Sequence, residues 1–172
     1  NKMKKILIVP HPALRQKAKS LNKITKADVA LSKQMIQIMN EASGVGLAAN
    51  QIGIFKKIVT VHIKDTENNT EKLYTLFNPS ILKYSKKTIL LEEGCLSLPK
   101  QFAEIERPSS IQLKYTDENN TIIKAEKNGY EARILQHEID HLSGKLFVDY
   151  LSSLKRNMII KRVQKLKKMG EI

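Results

Sequence analysis

A single cysteine, Cys95, and no tryptophan are the first scarcities in this 172-residue chain. One thiol cannot close an internal disulfide, which excludes a disulfide scaffold and favours a reducing compartment. No apolar run approaches the roughly 20 residues that span a bilayer. The basic start, Asn1-Lys2-Met3-Lys4-Lys5, leads into an apolar stretch, Ile6 to Val9, too short for the core of a secretory signal. Asn1 and Lys2 read as a remnant ahead of Met3, which leaves room for a targeting segment lost upstream. Aromatic residues make up 5% of the chain and no known RNA-binding motif is present. Acidic residues are also few, 17 against 30 basic, for a net charge of +13. That balance suits polyanionic partners such as nucleic acid or an anionic membrane. The blander reading is a solvated, lysine-rich surface. Part of the excess is localised: Leu151 to Ile172 holds seven basic residues and one acid.

The length fits one domain, read as a body over residues 1–150 with a basic amphipathic helix over 151–172 as its extension. From Thr25 to Ala42, Leu31, Met35, Ile38, Met39 and Ala42 recur at helical spacing, ahead of Ser43-Gly44-Val45-Gly46. Strand patterns follow at Lys57 to Ile63, Leu73 to Leu82 (with a break at Asn78-Pro79), Thr88 to Leu91, Ser110 to Tyr115 and Thr121 to Ala125. Helical spacing returns from Tyr130 to Leu142, with Gly144 as its stop. A last helix spans Leu154 to Met169, with Leu154, Met158, Ile159, Val163, Leu166 and Met169 expected on its packed side. The class is α+β: antiparallel sheets around a central helix, with one amphipathic helix before them and one after.

That central helix carries His137-Glu138-Ile139-Asp140-His141, an HExxH motif. Side chains four apart share a helix face, so both imidazoles can reach one divalent ion. The ion lowers the pKa of bound water toward about 7, and Glu138 stands ready to take its proton. By composition the pattern arises by chance about 0.006 times per chain, so two idle surface histidines are the weaker reading. Asp140 and Asp149 read as supporting residues, and His11 and His62 as ordinary polar ones.

A catalytic site takes a third protein ligand and leaves a position for water. No histidine follows His141, and the acids that do are Asp149 and Glu171. Upstream, Glu92-Glu93-Gly94-Cys95-Leu96-Ser97-Leu98-Pro99 offers Cys95, whose thiol a divalent ion would ionise.

Gly44-Val45-Gly46-Leu47-Ala48-Ala49-Asn50-Gln51, Glu93-Gly94-Cys95-Leu96-Ser97 and Gln136-His137-Glu138-Ile139-Asp140-His141 together resemble the three motifs of the peptide deformylases, in the same order. Pro10, Leu14-Arg15 and Gly144 to Tyr150 extend the resemblance over nearly the whole chain. It implies Cys95, His137 and His141 as metal ligands and Glu138 as general base and then acid. Gln51 and the Leu96 N–H would stabilise the oxyanion. The substrate would be the formyl-methionine end of a nascent polypeptide, cut to formate and a free amine. Val45, Gly46 and Gly94 match positions that pair with the peptide backbone. Leu91, Tyr130, Arg133 and Ile134 match the methionine pocket, with the Arg133 charge expected to reach outward past an aliphatic wall. Some members carry an arginine shortly after the Cys-Leu-Ser-x-Pro segment; here Phe102 stands there, followed by Glu104 and Arg107.

The resemblance further implies one divalent metal, natively Fe(II), with Zn, Ni or Co as substitutes, in a bacterial cytoplasm or a bacterium-derived organelle. It suggests ribosome contact through the basic C-terminal helix, and neither a membrane nor a specific DNA as partner. Two rivals stand beside it. An HExxH endopeptidase shares the chemistry but leaves the Gly-rich and Cys-Leu-Ser segments unexplained. A basic RNA-binding protein with a structural metal has no use for Glu138.

Overall fold

The computed structural model describes residues 4–172; Asn1, Lys2 and Met3, where the remnant was placed, lie outside the described residues. The architecture is α+β, as expected. After a 3-10 turn at Pro12–Arg15 comes α1 (Lys26–Glu41). Thr25 and Asp28 cap its start reciprocally. The Thr25 hydroxyl accepts from the Asp28 N–H at 3.2 Å, and the Asp28 carboxylate accepts from the Thr25 N–H at 3.0 Å. Two donors that a helix start leaves open are thereby satisfied.

The strands are β1 (Gly46–Ala48), β2 (Ile58–Asp65), β3 (Thr70–Tyr84), β4 (Thr88–Cys95), β5 (Leu98–Pro108), β6 (Ser110–Thr116) and β7 (Ile122–Asn128). Five of them make an antiparallel sheet in the order β1-β2-β3-β6-β7, while β4 and β5 form a separate hairpin. α2 (Gly129–Leu142) follows β7 directly, and α3 (Ser153–Lys168) closes the chain. β2 is buried on both faces from Ile58 to His62 because both are covered. Val59 and Val61 pack with Ala132 and Leu135 of α2. Ile58 packs with Met35, Ile38 and Met39 of α1, and Thr60 Oγ1 lies 3.6 Å from Met39 Sδ. A third cluster joins the hairpin to α3 through Leu98, Ile105, Phe147, Ile159 and Val163. Each such side chain contributes roughly 1.5–3 kcal/mol by leaving water.

The Asn78-Pro79 break is a register shift within β3. Asn78 takes a φ of 51° there, and its amide clasps Leu21, accepting from the N–H at 2.8 Å and donating to the carbonyl at 2.7 Å. Gly144 ends α2 at φ 75°, where a side chain would strike the Arg15 backbone. Three features depart from the sequence expectation. β5 was not anticipated, nor was the short, fully buried β1. On α3 only Ile159 and Val163 are buried, while Leu154, Met158 and Met169 are exposed, because the apolar arc of the helix is wider than the surface it meets.

Candidate active site

α2 presents His137 and His141 from its last two turns, and β4 delivers Cys95 at the mouth of the tight turn Leu96-Ser97. The turn is held from outside by the Val9 N–H, which donates to the Ser97 carbonyl at 3.0 Å. Cys95 Sγ lies 3.3 Å from His141 Nε2. One ligand atom from each of Cys95, His137 and His141 falls within 4.8 Å of the others, so the trio could hold a metal. The remaining histidines are elsewhere. His11 Nδ1 accepts from the Ala13 N–H, and His62 sits between Asn40 and Glu71.

The two imidazoles are pushed in opposite directions. Burial disfavours the charged form of each. At His137 the Glu138 carboxylate and hydrogen bonds with Cys95 and Glu93 outweigh it and hold the pKa well above the ordinary histidine value. At His141 burial and the neighbouring His137 charge push the pKa well down. An ion binding this trio displaces protons from it.

Behind the histidines lies a charge network that the sequence did not reveal. Glu93 Oε1 lies 3.0 Å from His137 Nδ1. Arg107 grips the same carboxylate in bidentate fashion at 2.5 and 2.9 Å, and Arg133 adds a contact at 2.5 Å. Arg107 also donates to Asp140 at 3.0 Å, and Tyr150 donates its hydroxyl to Asp140 at 2.7 Å. Two guanidiniums thus balance two carboxylates in a buried setting, where an unpaired charge is costly. Burial opposes ionisation of Glu93, but the hydrogen bonds from His137 and Arg107 prevail and hold it at about 2. An ionised Glu93 keeps a proton on His137 Nδ1 and turns Nε2 toward the cluster, the second-layer arrangement that metal-binding histidines require.

The cluster sits at the end of a cleft of about 440 Å³, lined by Val45, Gly46, Gln51, Gly94, Leu96, Phe102, Tyr130, His137 and Glu138 among others. Gln51 is fixed at both ends. Its carbonyl accepts from the Ala48 N–H at 3.0 Å, and its amide donates to Ser97 Oγ at 3.1 Å while lying 3.7 Å from Cys95 Sγ. Glu138 is buried with Oε1 free of any hydrogen bond to the described residues, and burial raises its pKa to about 7. A smaller cavity opens beside the cleft between Val45, Glu93, Gly94, Tyr130, Arg133 and Ile134.

Leu91, expected beside the methionine pocket, is 45% exposed on β4, opposite Ile105. Glu93, two residues on, borders the smaller cavity. One sequence expectation needs correction. Arg133 does border the smaller cavity, but its charge points inward, to Glu93 and to the carbonyls of Ile105 at 2.9 Å and Ile89 at 2.6 Å. A buried guanidinium with three acceptors has no reason to seek solvent.

The polypeptide deformylase family model matches residues 3–157. A peptide deformylase of Pelagibacter ubique is 43% identical over 165 residues, covering 96% of this chain and 95% of the relative. One from Mesorhizobium japonicum is 40% identical over 166 residues, covering 96% and 94%. Among solved structures, the peptide deformylase of Ehrlichia chaffeensis superposes with a TM-score of 0.94 at 33% identity, over 99% of this chain and 100% of that one. The chain belongs to the peptide deformylase family of hydrolases.

Proposed function

We propose that the chain removes the formyl group from the amino-terminal formyl-methionine of nascent polypeptides by a metal-dependent hydrolysis that releases formate. The observation that carries this is Cys95, His137 and His141 converging within 4.8 Å beside a buried Glu138 carboxylate oxygen with no hydrogen-bond partner among the described residues. Thiolate and imidazole accept Fe, Zn, Ni or Co; Fe(II) is our assignment for the native ion. A divalent ion held there supplies Lewis-acid activation of a water at neutral pH.

The chain's own residues do the rest. Glu138 takes the proton of the attacking water, and its raised pKa suits it to keep that proton until the C–N bond breaks. The proton then passes to the leaving amine, so water is divided between formate and the free amino terminus. Gln51 Nε2 and the Leu96 N–H donate to the oxygen of the formyl group as it gains charge. Gln51 is fixed before reaction by Ala48 and Ser97, which makes it effective in this role. The backbones of Val45, Gly46 and Gly94 flank the peptide, and Tyr130, Arg133 and Ile134 wall the methionine side chain. The C-terminal helix, with its seven basic residues, offers rRNA a contact surface. No helix among the described residues is long and apolar enough to cross a membrane; the bacterial relatives support a cytoplasmic site of action.

Formate release from formyl-Met-Ala-Ser and from its acetylated counterpart tests this, on chain purified without oxygen and assayed for metal. Rapid release from the formyl peptide alone is expected. Equal hydrolysis of both, or cleavage of internal bonds, would favour an endopeptidase.

A further inference from the structure

Large apolar side chains that stay in water without covering anything tend to mark binding surfaces when they cluster. Leu90, Phe102 and Met158 are 57%, 62% and 45% exposed, and they line one open groove of about 530 Å³ between the β4–β5 hairpin and α3. Leu154, 70% exposed, continues the stripe one turn before Met158. Lys155 and Arg162 form the α3 rim, with Glu104 on the hairpin wall. Phe102 belongs to both this groove and the catalytic cleft. Its ring lies over Gly94, where an added Cβ would meet it at 2.6 Å. The two depressions therefore adjoin, with one aromatic side chain bordering both.

We infer that this groove receives the substrate polypeptide beyond its first few residues, as an extended stretch with apolar side chains. The inference rests on the deformylase reading of the cleft. A formylated terminus is the end of a long chain, and the part that follows must leave along the cleft wall. An extended chain advances about 3.3 Å per residue, so past Phe102 its next side chains meet Leu90 and Met158. Phe102 and Met158 offer a broad ring and a flexible thioether, surfaces that accept varied sequences rather than select one. A second copy of this chain seated in the groove would obstruct the cleft at Phe102.

The test uses the metal-loaded full chain and three kinds of substrate. These are formyl-Met-Ala-Ser, a nonapeptide extending it with serine and glycine, and nonapeptides with a Leu-Leu pair walked through positions four to nine. At one register the leucine peptide should show a KM roughly fivefold to tenfold lower than the serine peptide, with kcat unchanged. Met158→Glu and Leu90→Ser should abolish that gain and leave kcat/KM for formyl-Met-Ala-Ser unchanged. Fluorescence anisotropy of labelled, unformylated peptides should rank them in the same order. Anisotropy reads the groove independently of catalysis: a leucine preference without deformylation overturns the functional reading and keeps the groove. No preference at any register, or a preference untouched by Met158→Glu, overturns the inference. So does a concentration-dependent dimer that Met158→Glu dissociates, which would assign the groove to a second copy.

Discussion

Gly46 faces the Glu138 carboxylate so closely that one added methyl group tests the role proposed for it. A Cβ built at Gly46 would lie 2.7 Å from Glu138 Oε2, 2.9 Å from its Cγ and 3.0 Å from its Cδ. Comfortable contact between such atoms begins near 3.5 Å, so the alanine overlaps by roughly 0.5–0.8 Å. The Gly46 backbone is outside the left-handed region, so alanine meets no backbone strain of its own. Glu138 is 5% exposed and cannot swing into solvent. It must leave its rotamer, and overpacking of this kind costs about 1–3 kcal/mol. A displacement approaching 1 Å lowers kcat on the order of 100-fold.

A double-mutant cycle isolates the cause. Urea unfolding should show Gly46→Ala destabilising the parent by about 1–3 kcal/mol. In a Glu138→Ala background the overlapping atoms are gone. There the same change should be neutral, or stabilising by roughly 0.4–1 kcal/mol through loss of unfolded-chain freedom. Equal destabilisation in both backgrounds would place the clash with something other than Glu138.

Arg133→Leu should lower Tm on the order of 10 °C by thermal unfolding, since it breaks a buried ion pair and leaves the Ile89 and Ile105 carbonyls without their donor. Arg133→Lys should recover only part, as one ammonium cannot reach all three acceptors; a Tm unchanged in Arg133→Leu would restore the outward-pointing charge. Glu131 is opposed by burial but is held below its ordinary 4.5 by hydrogen bonds from Tyr74 and Lys72 and by the Lys127 charge. Its folded pKa is depressed, so it contributes stability above the unfolded value that is lost as pH falls through the folded one. The Tm advantage of the parent over Glu131→Gln, measured on metal-free chains, should therefore shrink from pH 7 toward pH 3.5; a constant difference would contradict this.

The helices were legible to within a residue or two because each pairs a periodic apolar face with a recognisable boundary, such as Thr25-x-x-Asp28 or Gly144. β5 was not. Its inward residues Ala103, Ile105 and Arg107 include a buried cation, and prolines stand at Pro99 and Pro108, so alternation did not register. His137 and His141 were readable as candidate ligands, with Glu138 beside them, because HExxH fixes its own geometry along one helix; Cys95 was reached through the separate Glu93-Gly94-Cys95-Leu96-Ser97 segment. Glu93, Arg107 and Arg133 were not, because charged residues are expected at the surface and their burial depends on partners 14 to 40 positions away. Ser97 escaped for the same reason: its grip on Gln51 spans 46 positions and leaves no local signature.

Glu138 separates a hydrolytic site from a purely structural one, since Cys95, His137 and His141 could hold an ion without it. Formate release and bound metal, measured on the same sample of Glu138→Gln, test this most directly. One metal per chain should be retained and the rate should fall by roughly 10²–10⁴. Formate release at the parent rate with metal retained would contradict that role.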